Sequence, residues 1–309
     1  MDRNFFKKPR TFDGGMGQEL LSRGLISKGT LWSSSALLDE KNHNLILDTH
    51  LSFINNGAEI ILTNTFTTRK VRFEQNKVSN FFEFANRKAC ELALKAKELS
   101  KKDILIAGSI PAQNDTYNPD KRDEKLIESN FFDQIKIINS YVDFFYLDVI
   151  SSGKELEIAL NILNKFNKFI LVGLHIKKDG KLPSGESITE VVKKNINNKW
   201  IGLVVACVSP EIVEKSHDEI KKLNIPFGFK VNLWGLEEPL KVQDFNKAKF
   251  DEVGINPNII LGTRKDITDE IFKRFIKKMI QNGSTILGGC CETKPKHIKI
   301  ISELVNKVY

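Results

Sequence analysis

Three of the four cysteines in the chain stand where thiols could share a metal ion. Cys207 closes an apolar run, Gly202-Leu203-Val204-Val205-Ala206-Cys207, and Cys290 and Cys291 follow a second one, Ile286-Leu287-Gly288-Gly289. Adjacent cysteines rarely bridge each other because the geometry is strained. Metal binding or thiol reactivity is the chemistry that remains. Gly288 and Gly289 allow a tight turn that sets two consecutive thiols on one ion. Three thiolates leave a fourth tetrahedral position open, as a catalytic zinc requires and a structural zinc does not. The plain alternative is a core thiol at 207 beside an incidental pair, and spacing alone leaves both readings open. Cys90 lies inside a helical pattern, Asn86-Arg87-Lys88-Ala89-Cys90-Glu91-Leu92, and reads as a small core residue.

Those thiols need elements to position them. Short apolar, β-branched runs recur at Arg10–Asp13, Glu59–Asn64, Ile104–Ser109, Phe144–Asp148, Phe169–His175, Gly202–Cys207, Phe227–Asn232 and Thr285–Gly289. Helical patterns lie between them, most clearly at Phe82–Leu99, Leu126–Val142, Glu155–Phe166, Pro210–Leu223 and Asp266–Gln281. A last helix is expected over Pro295–Val308, with its proline in the first turn and Thr293 as the cap. Such alternation predicts a parallel sheet closed as a (β/α)8 barrel of the TIM type, with an open doubly wound sheet as the rival. One barrel domain is expected over residues 1–309. Its longest irregular stretch, about 233–265, joins the seventh and eighth strands and reads as a lid, a substrate loop or a plain insertion.

In a closed barrel the strand C-termini converge on one mouth. Asp13, Asn64, Ser109, Asp148, Cys207, Asn232 and Cys290 all fall at such ends. Each has an ordinary capping role available, but seven together point to a site. The sixth and eighth strands are second neighbours in a barrel, so Cys207 can meet the Cys290–Cys291 pair.

With 309 residues, 41% hydrophobic and 28% charged, the chain suits one barrel of about 250 residues plus insertions. No run of 18 or more apolar residues suggests a membrane span. Met1 to Arg10 lacks the apolar stretch of a secretory signal, so a cytoplasmic location is expected. The net charge of +8 raises the question of nucleic acid. Yet Lys273, Arg274, Lys277 and Lys278 alternate with Phe272, Phe275 and Ile276 at helical spacing, the pattern of a solvated face. No nucleic-acid-binding motif accompanies the charge, so small molecules are the expected partners. The five histidines show no metalloprotease or triad spacing, and no glycine-rich phosphate loop is present.

Gly288-Gly289-Cys290-Cys291, followed by Thr293 and Pro295, resembles the GGCC motif of the homocysteine S-methyltransferase family. The resemblance extends along nearly the whole chain. Asp13-Gly14-Gly15-Met16-Gly17-Gln18-Glu19-Leu20 is similar to the family's N-terminal block, Leu31-Trp32-Ser33 and Thr63-Asn64-Thr65-Phe66 to the next two, and Ala107-Gly108-Ser109 to another. Cys207 stands where the family has its first zinc cysteine. Two departures are plain. Ala206 replaces an Asn before that cysteine, and Asp148-Val149 replaces a Glu-Thr pair after the fourth strand. Both fall near the substrate and bear on substrate choice.

The resemblance implies a zinc-dependent transfer of a methyl group to homocysteine, giving methionine, with Cys207, Cys290 and Cys291 as the metal ligands. It implies Asp13 and Asp148 as partners for the substrate ammonium. The Gly14 and Gly15 amides are candidates for its carboxylate. Trp32 is the candidate aromatic face for a cationic donor, and Asn232 a weaker candidate for orienting substrate. With Asp13 and Asp148, Trp32 would make the mouth aromatic and acidic, suited to a sulfonium or betaine-type donor. Other readings are a methyl-folate donor, a different thiol acceptor, or a zinc-binding barrel without catalysis.

Overall fold

The apolar runs pair as parallel strands because each is covered on both faces, which leaves no solvated side for polar alternation. The computed structural model describes residues 3–240 and 246–308. Its strands are β1 (Arg10–Thr11), β2 (Ile60–Leu62), β3 (Leu105–Pro111), β4 (Phe144–Ile150), β5 (Ile170–Leu174), β6 (Trp200–Val208), β7 (Phe227–Val231) and β8 (Ile286–Gly289). All eight lie in one sheet of order β1-β8-β7-β6-β5-β4-β3-β2. A parallel bridge between Phe12 and Ile60 joins the two ends, and the Asp13 N–H donates to the Ile60 carbonyl at 3.0 Å. The sheet is therefore a (β/α)8 barrel, and the open-sheet rival falls.

Two apolar layers hold it. Phe12, Ile60, Ala107, Phe144, Leu171, Ile201, Val204 and Ile286 fill the interior. A larger layer, with Ile106, Phe145, Val172, Leu203 and Phe229, meets the helices outside. The bottom is plugged by a short 3-10 turn, Arg3–Lys7, whose Phe6 stacks on Phe12 at 6.1 Å and meets Phe144 edge-on at 6.4 Å.

The expected helices form at Phe82–Ser100, Glu124–Ile138, Gly153–Leu163, Pro210–Lys221, Asp269–Gln281 and Pro295–Val308. Side-chain caps start several of them: Asp123, Ser152, Ser209 and Thr268 each accept from first-turn N–H groups. Thr293 does not cap the last helix; its hydroxyl donates to the Cys290 carbonyl at 2.5 Å. On Asp269–Gln281, Phe272, Phe275 and Ile276 are buried, while Lys273 and Lys278 pair with Glu270 and Glu214. Those two lysines of the basic face are thus solvated and partnered. No helix among the described residues is long and apolar enough to cross a membrane.

Helices at Met16–Ser22, His43–Asn55 and Ile188–Asn195 were not expected from the pattern. The stretch 233–265 lies partly outside the described residues, at 241–245. Its described part docks back on the barrel mouth, where Lys28 and Val253 form an antiparallel bridge.

Candidate active site

The three thiols meet at the top of the barrel because of two local devices. In β6 the register against β7 passes from Ala206↔Lys230 to Val208↔Val231, which makes Cys207 an extra, bulged residue with φ +54°. A bulge of this kind re-aims one side chain out of the regular alternation. In β8, a side chain at Gly288 would sit 2.6 Å from Phe12 Cβ, and one at Gly289 would collide with Thr293. The strand can therefore run tight to its end and release Cys290 and Cys291 together.

The Sγ atom of Cys291 lies 3.8 Å from that of Cys207 and 4.0 Å from that of Cys290, with all three within 4.8 Å of one another. Tetrahedral zinc–thiolate bonds of about 2.3 Å place sulfur atoms about 3.8 Å apart, so the cluster fits one such ion. Its electrostatics point the same way. Burial opposes ionisation of Cys207, but contacts from Cys290, Cys291 and Tyr117 outweigh it and hold this thiol well below the usual range. Contact with the Cys207 sulfur then pushes Cys290 and Cys291 well above that range. All three could ionise together only around a cation.

Several side chains brace Cys207. The Asn232 amide donates to the Cys207 carbonyl at 2.7 Å and lies 3.9 Å from its sulfur. Its other atom accepts from the Trp234 N–H. Asn232 thus supports the bulge and is not among the residues lining the pocket. The Tyr117 hydroxyl stands 3.0 Å from the Cys207 sulfur, and its ring packs on His175 at 4.6 Å. His175 in turn reaches the Ala206 carbonyl through Nδ1 at 3.1 Å.

Asp13, Gly14, Gly15, Trp32, Asp148 and all three thiols line one pocket. Asp148 accepts from the Ser109 hydroxyl at 2.9 Å. Burial pushes its carboxyl up to about 7, against the pull of the Lys230 charge and that hydroxyl. Asp13 is differently placed. Its Oδ1 takes a 2.9 Å ion pair from Lys230, and its Oδ2 accepts the Leu62 N–H at 2.8 Å. The carboxylate is occupied inside the barrel, where burial pushes its pKa up and Lys230 opposes that rise. Gly15 is likewise engaged, donating to the Thr293 carbonyl at 2.9 Å. Of the two glycine amides, the one at Gly14 remains without an intramolecular partner among the described residues.

Trp32 is half-buried on the pocket wall. Its indole N–H donates to Gln18 at 3.1 Å, the Gln18 amide donates to Glu292 at 3.0 Å, and Glu292 directly follows Cys291. A side chain at Gly17 would lie 2.6 Å from the indole ring, so the glycine lets the ring lie flat on the backbone. The same pocket is lined by Arg69 and Arg72, both nearly inaccessible at 1% and 6%. With Lys230 on Asp13 and these two guanidinium groups present, the mouth is not the acidic surface expected from Asp13 and Asp148.

Backbone strain gathers here as well. Of the eight non-glycine residues with positive φ among those described, Trp32, Tyr117 and Cys207 line the pocket, and Val149 and Glu292 follow Asp148 and Cys291. Val149, at φ +60°, is the extra residue where β4 shifts register against β5. A β-branched residue in that region is a true outlier, and such strain collects at functional sites.

Lys230, His175, Tyr117, Gln18, Arg69 and Arg72 were not singled out from the sequence. Only Lys230 carried a signal, a charge inside the apolar run Phe227-Gly228-Phe229-Lys230-Val231. Gln18 and Arg72 lie in the short helices Met16–Ser22 and Lys70–Gln75, Arg69 and Tyr117 on loops, and His175 just past a strand end whose polar residue looked ordinary. Cys90 is buried outside the barrel wall in the helix Phe82–Ser100, as expected.

The homocysteine S-methyltransferase family model matches residues 11–305. The chain is similar to a selenocysteine methyltransferase of Astragalus bisulcatus, 24% identical over 95% of this chain and 91% of that one. It is 26% identical to the S-methylmethionine–homocysteine S-methyltransferase BHMT2 of Pongo abelii, over 94% and 77% of the two chains. Homocysteine S-methyltransferase 2 of Saccharomyces cerevisiae is 24% identical over 97% and 95%. Among solved structures, the metallated form of the Escherichia coli homocysteine methyltransferase MmuM has the same fold, with a TM-score of 0.76 and 17% identity over 97% and 98% of the chains.

Proposed function

The chain belongs to the homocysteine S-methyltransferase family, and on that premise we propose that it transfers a methyl group from a cationic donor to homocysteine with one zinc ion on Cys207, Cys290 and Cys291. The observation that carries the metal assignment is the spacing of the three sulfur atoms at the floor of the pocket. When bound, zinc supplies the acidity that presents the substrate thiol as a thiolate at neutral pH.

The chain's own residues do the rest. Asp148 faces the pocket and is held by Ser109, which suits it to the substrate ammonium. It carries that role without Asp13, whose carboxylate is engaged by Lys230. The Gly14 N–H is open to the substrate carboxylate. Trp32 offers its ring face to an onium methyl group, a contact worth about 0.5–2 kcal/mol. Asn232 and Tyr117 hold Cys207 in its bulge. A sulfonium donor such as S-methylmethionine or S-adenosylmethionine is the first choice, and a betaine the second.

Elemental analysis of purified protein should find one zinc per chain. Cys207→Ala, Cys290→Ala and Cys291→Ala should each lose most of it, while Cys90→Ala keeps both metal and activity. Full zinc retention in all three variants would sink the metal assignment. A donor panel scored for methionine tests the other half: turnover with methyl-folate and with no sulfonium or betaine overturns the donor class.

A further inference from the structure

Arg69 is enclosed in the protein yet has no carboxylate within ion-pair distance among the described residues. One terminal nitrogen donates to the Ala112 carbonyl at 2.8 Å and the other to the Thr116 hydroxyl at 3.3 Å. Its Nε is buried with no partner. A ring face of Phe66 lies 5.2 Å from the guanidinium carbon. Arg72 beside it has Asp115 at 3.4 Å and Gln75 at 3.1 Å. Arg122, also in Coulombic reach of Arg69, is matched by Asp120 at 2.7 Å. The remaining carboxyl in Coulombic reach of Arg69, Glu155, is bonded to Ser152 and raised to about 7 by burial, so Arg69 itself has no direct anionic partner. A guanidinium has five N–H donors in a planar fork that fits a carboxylate, and a buried charge left unmatched is costly. Burial already pulls Arg69 down to about 9.

Both arginines line the pocket that contains the thiols. The connection between them is short: Thr116 holds Arg69, and the next residue, Tyr117, places its hydroxyl on the Cys207 sulfur. Gly14 and Gly15 approach from the opposite loop, where a side chain at Gly15 would strike the Cys290 carbonyl at 2.5 Å. That side is next to the sulfur acceptor and suits homocysteine. The arginine side is left for the second substrate.

We propose that Arg69, supported by Arg72, forms a carboxylate-binding subsite for the methyl donor, so that the enzyme selects donors carrying both an onium methyl group and a carboxylate. The assignment of the occupant rests on the methyl-transfer reading above; the anion site itself does not. Its charge restricts the donor on one side while Trp32 reads the onium group on the other. Compact zwitterions such as S-methylmethionine, dimethylsulfoniopropionate and glycine betaine share the required chemistry.

The test is calorimetric binding to the zinc-loaded protein without homocysteine, using S-methylmethionine, dimethylsulfoniopropionate and glycine betaine, each against its methyl ester. Trimethylsulfonium serves as the donor with no acid group. The free acids should bind at least about tenfold tighter than their esters, since a charge-assisted hydrogen bond is worth on the order of a factor of ten or more. Arg69→Gln should close that gap to about twofold, with the donor KM rising and the homocysteine KM steady. Arg69→Lys, which keeps the charge and loses the fork, should fall between them. The acid that shows the largest gap identifies the donor type. Equal binding of acids and esters by the unmodified enzyme overturns the subsite even if no variant folds. A rise in the homocysteine KM alone overturns its assignment to the donor. Absence of methionine with every donor would remove the methyl-transfer reading, while the acid–ester difference still decides whether the anion site exists.

Discussion

Asp13 and Lys230 share a buried setting in which neither charge can find water, their side chains 2% and 3% exposed. Removing one partner of such a pair leaves the other stranded and costs about 3–5 kcal/mol, whereas removing both costs far less. Lys230→Met should therefore lower the melting temperature strongly, and Asp13→Asn combined with it should restore much of the loss. Additive losses in the double variant would show that the pair is not coupled. The thiols were legible in the sequence because cysteine is scarce in this chain and three of them end apolar runs. The arginines were not, because a surface arginine and an enclosed one look alike until the loops fold. The pairing of Asp13 with Lys230 was not legible for a related reason: it spans most of the chain, and no local spacing announces it.

At the scale of elements, the site depends on where strands stop being regular. β4 and β6 each carry one extra residue near their ends, at Val149 and Cys207, and each bulge sets a pocket residue or its neighbour apart from the alternation. All eight strands were readable because their buried, β-branched runs are bounded by polar ends. The bulges were not, since an extra residue leaves no mark in composition. The short helices Met16–Ser22 and Ile188–Asn195 escaped because one or two turns give too little periodicity. The loop after β1 tests how closely the elements fit. An added methyl at Gly15 meets the Cys290 carbonyl, so Gly15→Ala should displace the strand end that carries two thiols. Zinc affinity should drop at least about tenfold, the scale seen when the support of a metal ligand is disturbed. Gly24→Ala, at the other end of the helix Met16–Ser22, strains a φ of +99° but has nothing near its added carbon, so it should lower stability and leave zinc in place. Unchanged zinc affinity in Gly15→Ala would mean that the contact relaxes without cost.

For the whole molecule, one carboxyl couples stability to pH outside the thiol cluster. Glu155 is fully buried behind β4, where it accepts from the Ser152 hydroxyl at 2.7 Å. Burial raises its pKa from 4.5 to about 7, with Ser152 opposing and Asp120 adding to the rise. The unfolded chain releases this proton near 4.5 and the folded protein only near 7. Between those values the unfolded state binds fewer protons, so this group's contribution to stability falls as pH rises, by up to about 3 kcal/mol. Glu155→Gln keeps the hydroxyl contact and removes the titration. Thermal unfolding followed from pH 5 to pH 8 should decline less steeply in that variant than in the parent. Matching slopes would assign the pH dependence to other groups.

The barrel seam described above has a consequence for how the chain is made. β1 pairs with β8, and the Gly289 N–H donates to the Asp13 carbonyl at 3.0 Å, so β1 waits for β8 to be made. Two of the three thiols arrive with that strand. During synthesis, then, no metal-binding trio exists until the last strand has left the ribosome, and a chain broken off before β8 has neither a shut sheet nor a full ligand set. With the metal site proposed above, metal per chain in a mixed preparation reads out the fraction of molecules that extend through β8 and Cys291.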